Sequence, residues 1–115
     1  MRLTTDFWVS ALIRNVFGQG GFAAIVKRGA TEAGAVFVLA RKRTGEVSLY
    51  GPAPQTSYDA ARPDDRHFSL VAESADMEAI EARLAKEKRF DPDIWILEIE
   101  AAEFAVEAMI SVDRP

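Results

Sequence analysis

The sequence predicts an α+β domain in which an antiparallel sheet of four to five strands carries two main helices, in the order α-β-β-β-β-α-β. Three observations carry that expectation. Apolar residues recur at helical spacing near the N-terminus and again around residues 77–84. Short runs rich in Val, Ile, Phe and Ala lie between them, bounded by Gly-containing turns. The chain of 115 residues is 49% apolar and has no cysteine, so it must bury one ordinary core without covalent staples.

The first element is expected over about Asp6 to Phe17. Trp8, Leu12 and Val16 fall at i, i+4 and i+8, with Val9, Ile13 and Phe17 one position further round. Thr5 or Asp6 can cap its start, and "GQGG" stops it. "FAAIVKR" and "AGAVFVLARK", separated by "GATEAG", read as a hairpin, and "RTG" turns the chain into "EVSLYG". Residues 22–51 are therefore expected to form a three-stranded antiparallel meander. Val36 and Val38 lie on one face of its middle strand and Phe37 and Leu39 on the other, which calls for cover on both sides.

A Pro-rich loop follows over about residues 51–65, because Pro52, Pro54 and Pro63 remove ladder donors. "RHFSLVAE" resumes a strand, with Phe68, Leu70 and Ala72 expected on one face. "SADMEAIEARLAKEKRF" is the clearest helix. Met77, Ile80 and Leu84 form its apolar stripe, Ser74 or Asp76 caps it, and its acids precede its bases as the helix dipole favours. Both helices are expected on one face of the sheet. "DP" ends the second helix, "DIWILEIE" is the closing strand, and the tail 101–115 fits helix by composition but strand by alternation. Residues 1–115 read as a single domain, with no repeat or linker to divide it.

Composition removes several chemistries. Without cysteine there is no disulfide, thiolate nucleophile or iron–sulfur ligation, and one histidine leaves nitrogen-ligated metal centres without a donor set. The N-terminal stretch is interrupted by Thr, Asp, Ser and Arg, so it lacks the apolar run of a signal peptide or membrane span, and a cytoplasmic location without membrane association is expected. Residues 1–45 hold seven basic and two acidic groups; residues 46–115 hold seven and sixteen. A basic half could meet nucleic acid, but attraction between the two halves explains the asymmetry in an acidic domain, and nucleic acid is not the expected partner.

"RFDPDIWILEIE" poses the main functional question, since it carries Asp91, Asp93, Glu98 and Glu100 within ten positions. On a strand Glu98 and Glu100 share a face, while Asp93 and Glu100 lie roughly 23 Å apart at about 3.3 Å per residue. One metal cannot gather all four. A Mg²⁺-dependent hydrolase or nuclease using these carboxylates is the catalytic alternative. In the structural reading Asp91 and Asp93 end a helix in a turn and the glutamates solvate a strand end. His67 has no nucleophile in a recognisable motif beside it and reads as a surface or interface histidine. Tyr50, at a strand end beside Pro52, and Tyr58, in the loop, suit ligand or partner contact from rigid segments, while the structural reading has Tyr50 capping the core edge.

Read together, "FWVSALIRN", "GGFAAIVKRG" with "AGAVFV", "LYGPAP" and "RFDPDIWILEIE" resemble the domain of unknown function 1491 family, short alphaproteobacterial proteins, over the chain to about residue 100. The resemblance implies a bacterial cytoplasmic setting and a shared fold, and it transfers no activity, cofactor or partner to any residue.

The expectation is a small non-catalytic binding or interaction module that needs no cofactor and meets a protein or small-molecule partner, with a homodimer through a sheet edge or the tail as one form. The expected contact surface combines the "YGPAP" segment and the "RFDPD" turn: Tyr50, Pro52, Arg89, Asp91 and Asp93. Arg89 offers a planar fork for a carboxylate or phosphate, or else pairs with Asp91 or Asp93 inside the turn.

Overall fold

A computed structural model of the chain describes residues 3–54, 66–100 and 106–113. Helix α1 (Thr5–Gly18) leads into strands β1 (Phe22–Lys27), β2 (Val36–Arg41), β3 (Val47–Pro52) and β4 (His67–Ser74), followed by α2 (Met77–Phe90) and β5 (Trp95–Glu100). A short 3₁₀ turn (Val106–Ala108) and a two-residue strand β6 (Ser111–Val112) follow. Elements α1 to β5 appear in the expected order. Residues 55–65 of the Pro-rich loop, with Tyr58 and Pro63, and residues 101–105 of the tail lie outside the described residues.

Both helices form where periodicity places them. Thr4 caps α1 one residue before the expected cap, its hydroxyl accepting from the Phe7 N–H, and Val9, Leu12 and Val16 form the buried stripe. Asp76 caps α2 by accepting from the Glu78 N–H, while Ile80 and Leu84 are buried. The pairing of β2 with β3 is also as expected, with Val38 opposite Tyr50 and Arg41 opposite Val47.

The sheet itself corrects the expectation. It is mixed rather than antiparallel and contains six strands in the order β1-β5-β2-β3-β4-β6. The expected β1–β2 hairpin does not form, because β5 lies between them, antiparallel to β1 and parallel to β2. Burial decides this arrangement. Ile94, Trp95, Ile96, Leu97 and Ile99 are all 2% exposed or less, whereas β1 fully buries only Ala23. Each large apolar side chain removed from water contributes about 1.5–3 kcal/mol, so these five, at positions 94–99, hold β5 inside the sheet and leave β1 at the edge.

The helices cover opposite faces, which corrects their expected placement on one face. Val9, Leu12 and Val16 of α1 pack with Val36, Val38, Trp95, Leu97 and Ile99. Ile80 and Leu84 of α2 pack with Phe37, Leu39, Leu49, Ile94 and Ile96 on the other side. This is the two-sided cover that the alternation in β2 requires. In β4 a bulge between the partners of Leu49 and Tyr50 breaks the alternation. Phe68 accordingly packs with α1 and Ala72 with the α2 core, rather than on one face.

One loop fixes the position of β5. Residues 29–35 connect β1 to β2 around the start of that strand. The Ala30 N–H donates to the Asp93 carbonyl (2.9 Å), and the Trp95 N–H donates to the Ala35 carbonyl (2.8 Å). The Trp95 indole N–H donates to the Ala30 carbonyl (2.8 Å). Thr5, fully buried, donates through its hydroxyl to the Gly34 carbonyl (2.9 Å), tying the start of α1 to the same loop. Two glycines permit this approach: a Cβ on Gly29 would lie 2.1 Å from the Asp93 carbonyl oxygen, and one on Gly34 2.7 Å from it. Gly29→Ala should therefore cost about 2–3 kcal/mol, the scale of an overpacked core. Gly18→Ala, with nothing within 4 Å of its added Cβ, is the control. Urea denaturation of the two variants checks the difference.

Candidate functional site

The four carboxylates of "RFDPDIWILEIE" serve separate purposes. Asp91 follows the last turn of α2; its N–H donates to the Glu87 carbonyl (2.9 Å) and its Oδ1 accepts from the Asp93 N–H (3.0 Å). That is the Asx turn expected where a helix meets Asp-Pro. Asp93 contributes its backbone to the loop contact, and its exposed side chain receives no hydrogen bond or ion pair among the described residues. Glu98 is half-buried and ion-paired with Arg41 on the neighbouring strand. Glu100 is exposed at the strand end. Among the described residues no three His, Asp or Glu side chains converge to hold a metal ion. Among the described residues the Mg²⁺-hydrolase alternative therefore finds no ligand cluster.

The turn is held rigidly from below. Lys27, at the end of β1, donates through Nζ to the carbonyls of Pro92 (2.7 Å) and Ile94 (2.9 Å). Arg28 stacks over the Trp95 ring at 4.7 Å and pairs with Asp6 at 2.7 Å. No sequence signal singles out Lys27, because its partners are carbonyls 65 and 67 residues away.

On this support the end of α2 projects into solvent. Arg89 is exposed, and no hydrogen bond or ion pair reaches it among the described residues; the pairing with Asp91 or Asp93 inside the turn does not form. Beside it Phe90 is 89% exposed, the most exposed of the large apolar side chains described. Lys86 shares a shallow hollow with them. Phe90 was legible in principle. At 100° per residue it stands about 120° round the helix from Leu84, off the stripe that Met77, Ile80 and Leu84 define.

Tyr50 and Pro52 are placed differently. Val38 is in register with both Tyr50 and Leu97, so the end of β3 and the start of β5 lie at the same end of the sheet, two strands apart. Pro52 is exposed there. Tyr50 is only 4% exposed and packs on the α1 face, opposite the face that α2 covers. Its hydroxyl donates to Glu107 (2.9 Å). Burial first, and that carboxylate second, hold the phenol above its ordinary pKa.

A polar chain invisible to local sequence reading adjoins Tyr50. Ser48, fully buried, donates to Glu73 Oε2 (2.8 Å), and Lys42 Nζ reaches both Glu73 (3.0 Å) and Glu46 (3.3 Å). The Ser48 hydroxyl, then Lys42, hold the Glu73 carboxyl below the ordinary glutamate value, and the hydrogen bond to Glu73 raises Lys42. Arg41–Glu98 and Lys42–Glu73 each join a base of the basic half to an acid of the acidic half, which is how the charge asymmetry is spent. His67 is half-buried, its Nδ1 2.9 Å from Asp113 Oδ1, and the Asp113 N–H donates to the Phe68 carbonyl (2.7 Å); both contacts moor β6 to β4.

A family model described as a protein of unknown function (DUF1491) matches residues 3–107. The solution structure of protein Atu0922 from A. tumefaciens is 45% identical, with 100% of this chain and 98% of that chain covered and a TM-score of 0.82. The crystal structure of a DUF1491 family protein from Caulobacter crescentus is 33% identical over 99% of this chain and 100% of that one, with a TM-score of 0.75. An NMR structure of a DUF1491 family protein from the same organism gives 32% identity over 99% of each chain and a TM-score of 0.79. No curated protein matches. The chain belongs to the DUF1491 family.

The lowered Glu73 value has a consequence for acid stability. A carboxyl that binds its proton less tightly when folded adds stability above the ordinary glutamate pKa and loses it as pH falls through the lowered value. Melting temperature should therefore fall more steeply on acidification in the wild type than in Glu73→Gln, and parallel curves would show that the Ser48–Glu73–Lys42 contacts contribute nothing.

Proposed function

We propose that this chain is a non-catalytic interaction module that docks a protein partner through the end of α2, with Phe90 as the apolar anchor and Arg89 as the polar contact. The observation that carries this reading is the 89% exposure of Phe90 on a turn tied down by Lys27 and Asp91. A large aromatic ring held in water on a rigid support loses little conformational freedom on binding, and aromatic and Arg side chains dominate interface energies. Lys86 and Arg89 line the hollow beside the ring, where Glu87 is already paired with Arg83, so the fitting partner presents an apolar pocket bearing a carboxylate. Asp91 and Asp93 set the geometry of the turn, and Pro52 lies at the same end of the sheet.

The reading without catalysis is supported by where the reactive groups are. Ser48 is fully buried beneath Glu73, Tyr50 is committed to Glu107 and His67 to Asp113. No described helix is long and apolar enough to cross a membrane.

A photo-crosslinking residue placed at position 90 in cells of an alphaproteobacterium tests the proposal. Position 90 should yield a defined protein adduct that position 81, on an exposed face of the same helix, does not, and Arg89→Glu should remove it. Phe90→Ser should leave stability within about 0.5 kcal/mol, as befits a surface position. Equal adducts at both positions, or none at position 90, would overturn the assignment.

A further inference from the structure

At the end of the sheet away from the α2 turn, the parallel strands β2 and β5 both reach their carboxyl ends and β1 begins beside them. The register sets Phe22 opposite Glu100 and Glu100 opposite Arg41. An aromatic ring, a carboxylate and a guanidinium therefore occupy neighbouring positions across three strands. Two turns wall this row. The α1–β1 turn brings Gly20 and Gly21, and the β2–β3 turn brings Lys42, Arg43 and Gly45. Together they enclose a hollow of about 410 Å³, within the roughly 300–1,000 Å³ of small-molecule sites. The carboxyl ends of parallel strands are also where open sheets commonly seat ligands.

Both walls are held by their own backbone bonds. The Gly20 N–H donates to the Phe17 carbonyl (3.1 Å) and the Gly21 N–H to the Val16 carbonyl (3.0 Å). In the other turn the Gly45 N–H donates to the Lys42 carbonyl (3.0 Å) and the Lys42 N–H to the Glu46 carbonyl (2.9 Å). With these amides committed, recognition in the hollow falls to side chains. Two of the lining charges are already matched, Arg41 by Glu98 and Lys42 by Glu46 and Glu73. Arg43 and Glu100 are exposed, and neither receives a hydrogen bond or ion pair among the described residues. Phe22 is 49% exposed, its ring held edge-on against Phe17 with centroids 5.8 Å apart.

The hollow thus offers one free planar fork, one free acceptor and one aromatic surface. A metal ion would find a single free carboxylate among the described residues there. A nucleic-acid strand would meet that carboxylate in a domain that is acidic overall, where counterion release gains little. A small ligand carrying an anion, a flat ring and a hydrogen-bond donor answers all three groups. We infer that this hollow binds a nucleoside monophosphate, its phosphate gripped by Arg43, its base against Phe22 and a hydroxyl or amino donor on Glu100. Strand β5 separates the hollow from the α2 turn, so this site and the α2 docking surface are distinct, and either assignment can fail without the other.

Titration with adenosine monophosphate, followed through the backbone amide resonances, tests the inference. Shifts should saturate at Gly20, Gly21 and Gly45 with a dissociation constant of about 1 mM or tighter. Adenosine, which lacks the anion, and ribose phosphate, which lacks the base, should each bind at least about tenfold more weakly. Arg43→Gln should weaken the nucleotide to the level of adenosine, leave adenosine unchanged and keep the melting temperature of the wild type. Phe22→Leu should weaken it to the level of ribose phosphate. Lys88→Gln, an equal loss of charge on α2, should alter none of these affinities. No saturable shift by about 10 mM nucleotide overturns the inference. So does inorganic phosphate that binds as tightly as the nucleotide, or equal weakening by Lys88→Gln and Arg43→Gln.

Discussion

The contact between the 29–35 loop and the first residues of β5 is the constraint on which the rest of the structure depends. At that point the chain brings together segments 60 to 65 residues apart, through hydrogen bonds from Ala30 to Asp93, Trp95 to Ala35 and the Trp95 indole to Ala30. Gly29 and Gly34 make the approach sterically available, and Thr5 extends it to α1. With the start of β5 held there, the buried side chains from Ile94 onward divide between two cores, Trp95, Leu97 and Ile99 under α1, Ile94 and Ile96 under α2. The mixed sheet, the cover on both faces and the edge position of β1 all follow from inserting this strand between β1 and β2.

The same insertion separates structural from available groups. Nearly every polar side chain that looked chemically suggestive is engaged in holding neighbouring strands together. Glu98 pairs with Arg41 across the parallel β2–β5 ladder, Ser48 and Lys42 converge on Glu73 across β3–β4, and Tyr50 meets Glu107. Several large apolar side chains also stay in water: Phe90 at the end of α2, and Phe17, Phe22 and Val26 around β1. For a small domain with two cores to fill, large side chains left outside are costly to solubility, which is why their placement supports the proposed contact role.

Local patterns were legible in the sequence and distant pairings were not. The α2 stripe of Met77, Ile80 and Leu84, the Asx turn at Asp91 and the two apolar faces of β2 follow from periodicity and turn chemistry, which act over a few residues. The β1–β2 hairpin was misread because β-propensity favours any two adjacent β-branched runs, whereas the partner of β1 was chosen by the burial of a strand some 70 residues further on. The bulge in β4 likewise has no local signature, and it moved Ala72 to the other face. At the candidate site Arg89 and Asp91 stood out as charged residues beside a proline. Phe90, lying off the helical stripe, carried a signal of equal clarity in its angle round the helix.

Native-state hydrogen exchange at the Ala30 amide tests this account most directly. Ala30 lies in a connecting loop, where an amide would ordinarily exchange through low-energy local openings. If its bond to the Asp93 carbonyl organises the fold, that amide should exchange only through global unfolding, at the same free energy as the amides of Trp95 and Leu97, while Val26 on the open edge exchanges far sooner. Exchange of Ala30 at the rate of an exposed loop, with β5 still protected, would contradict it.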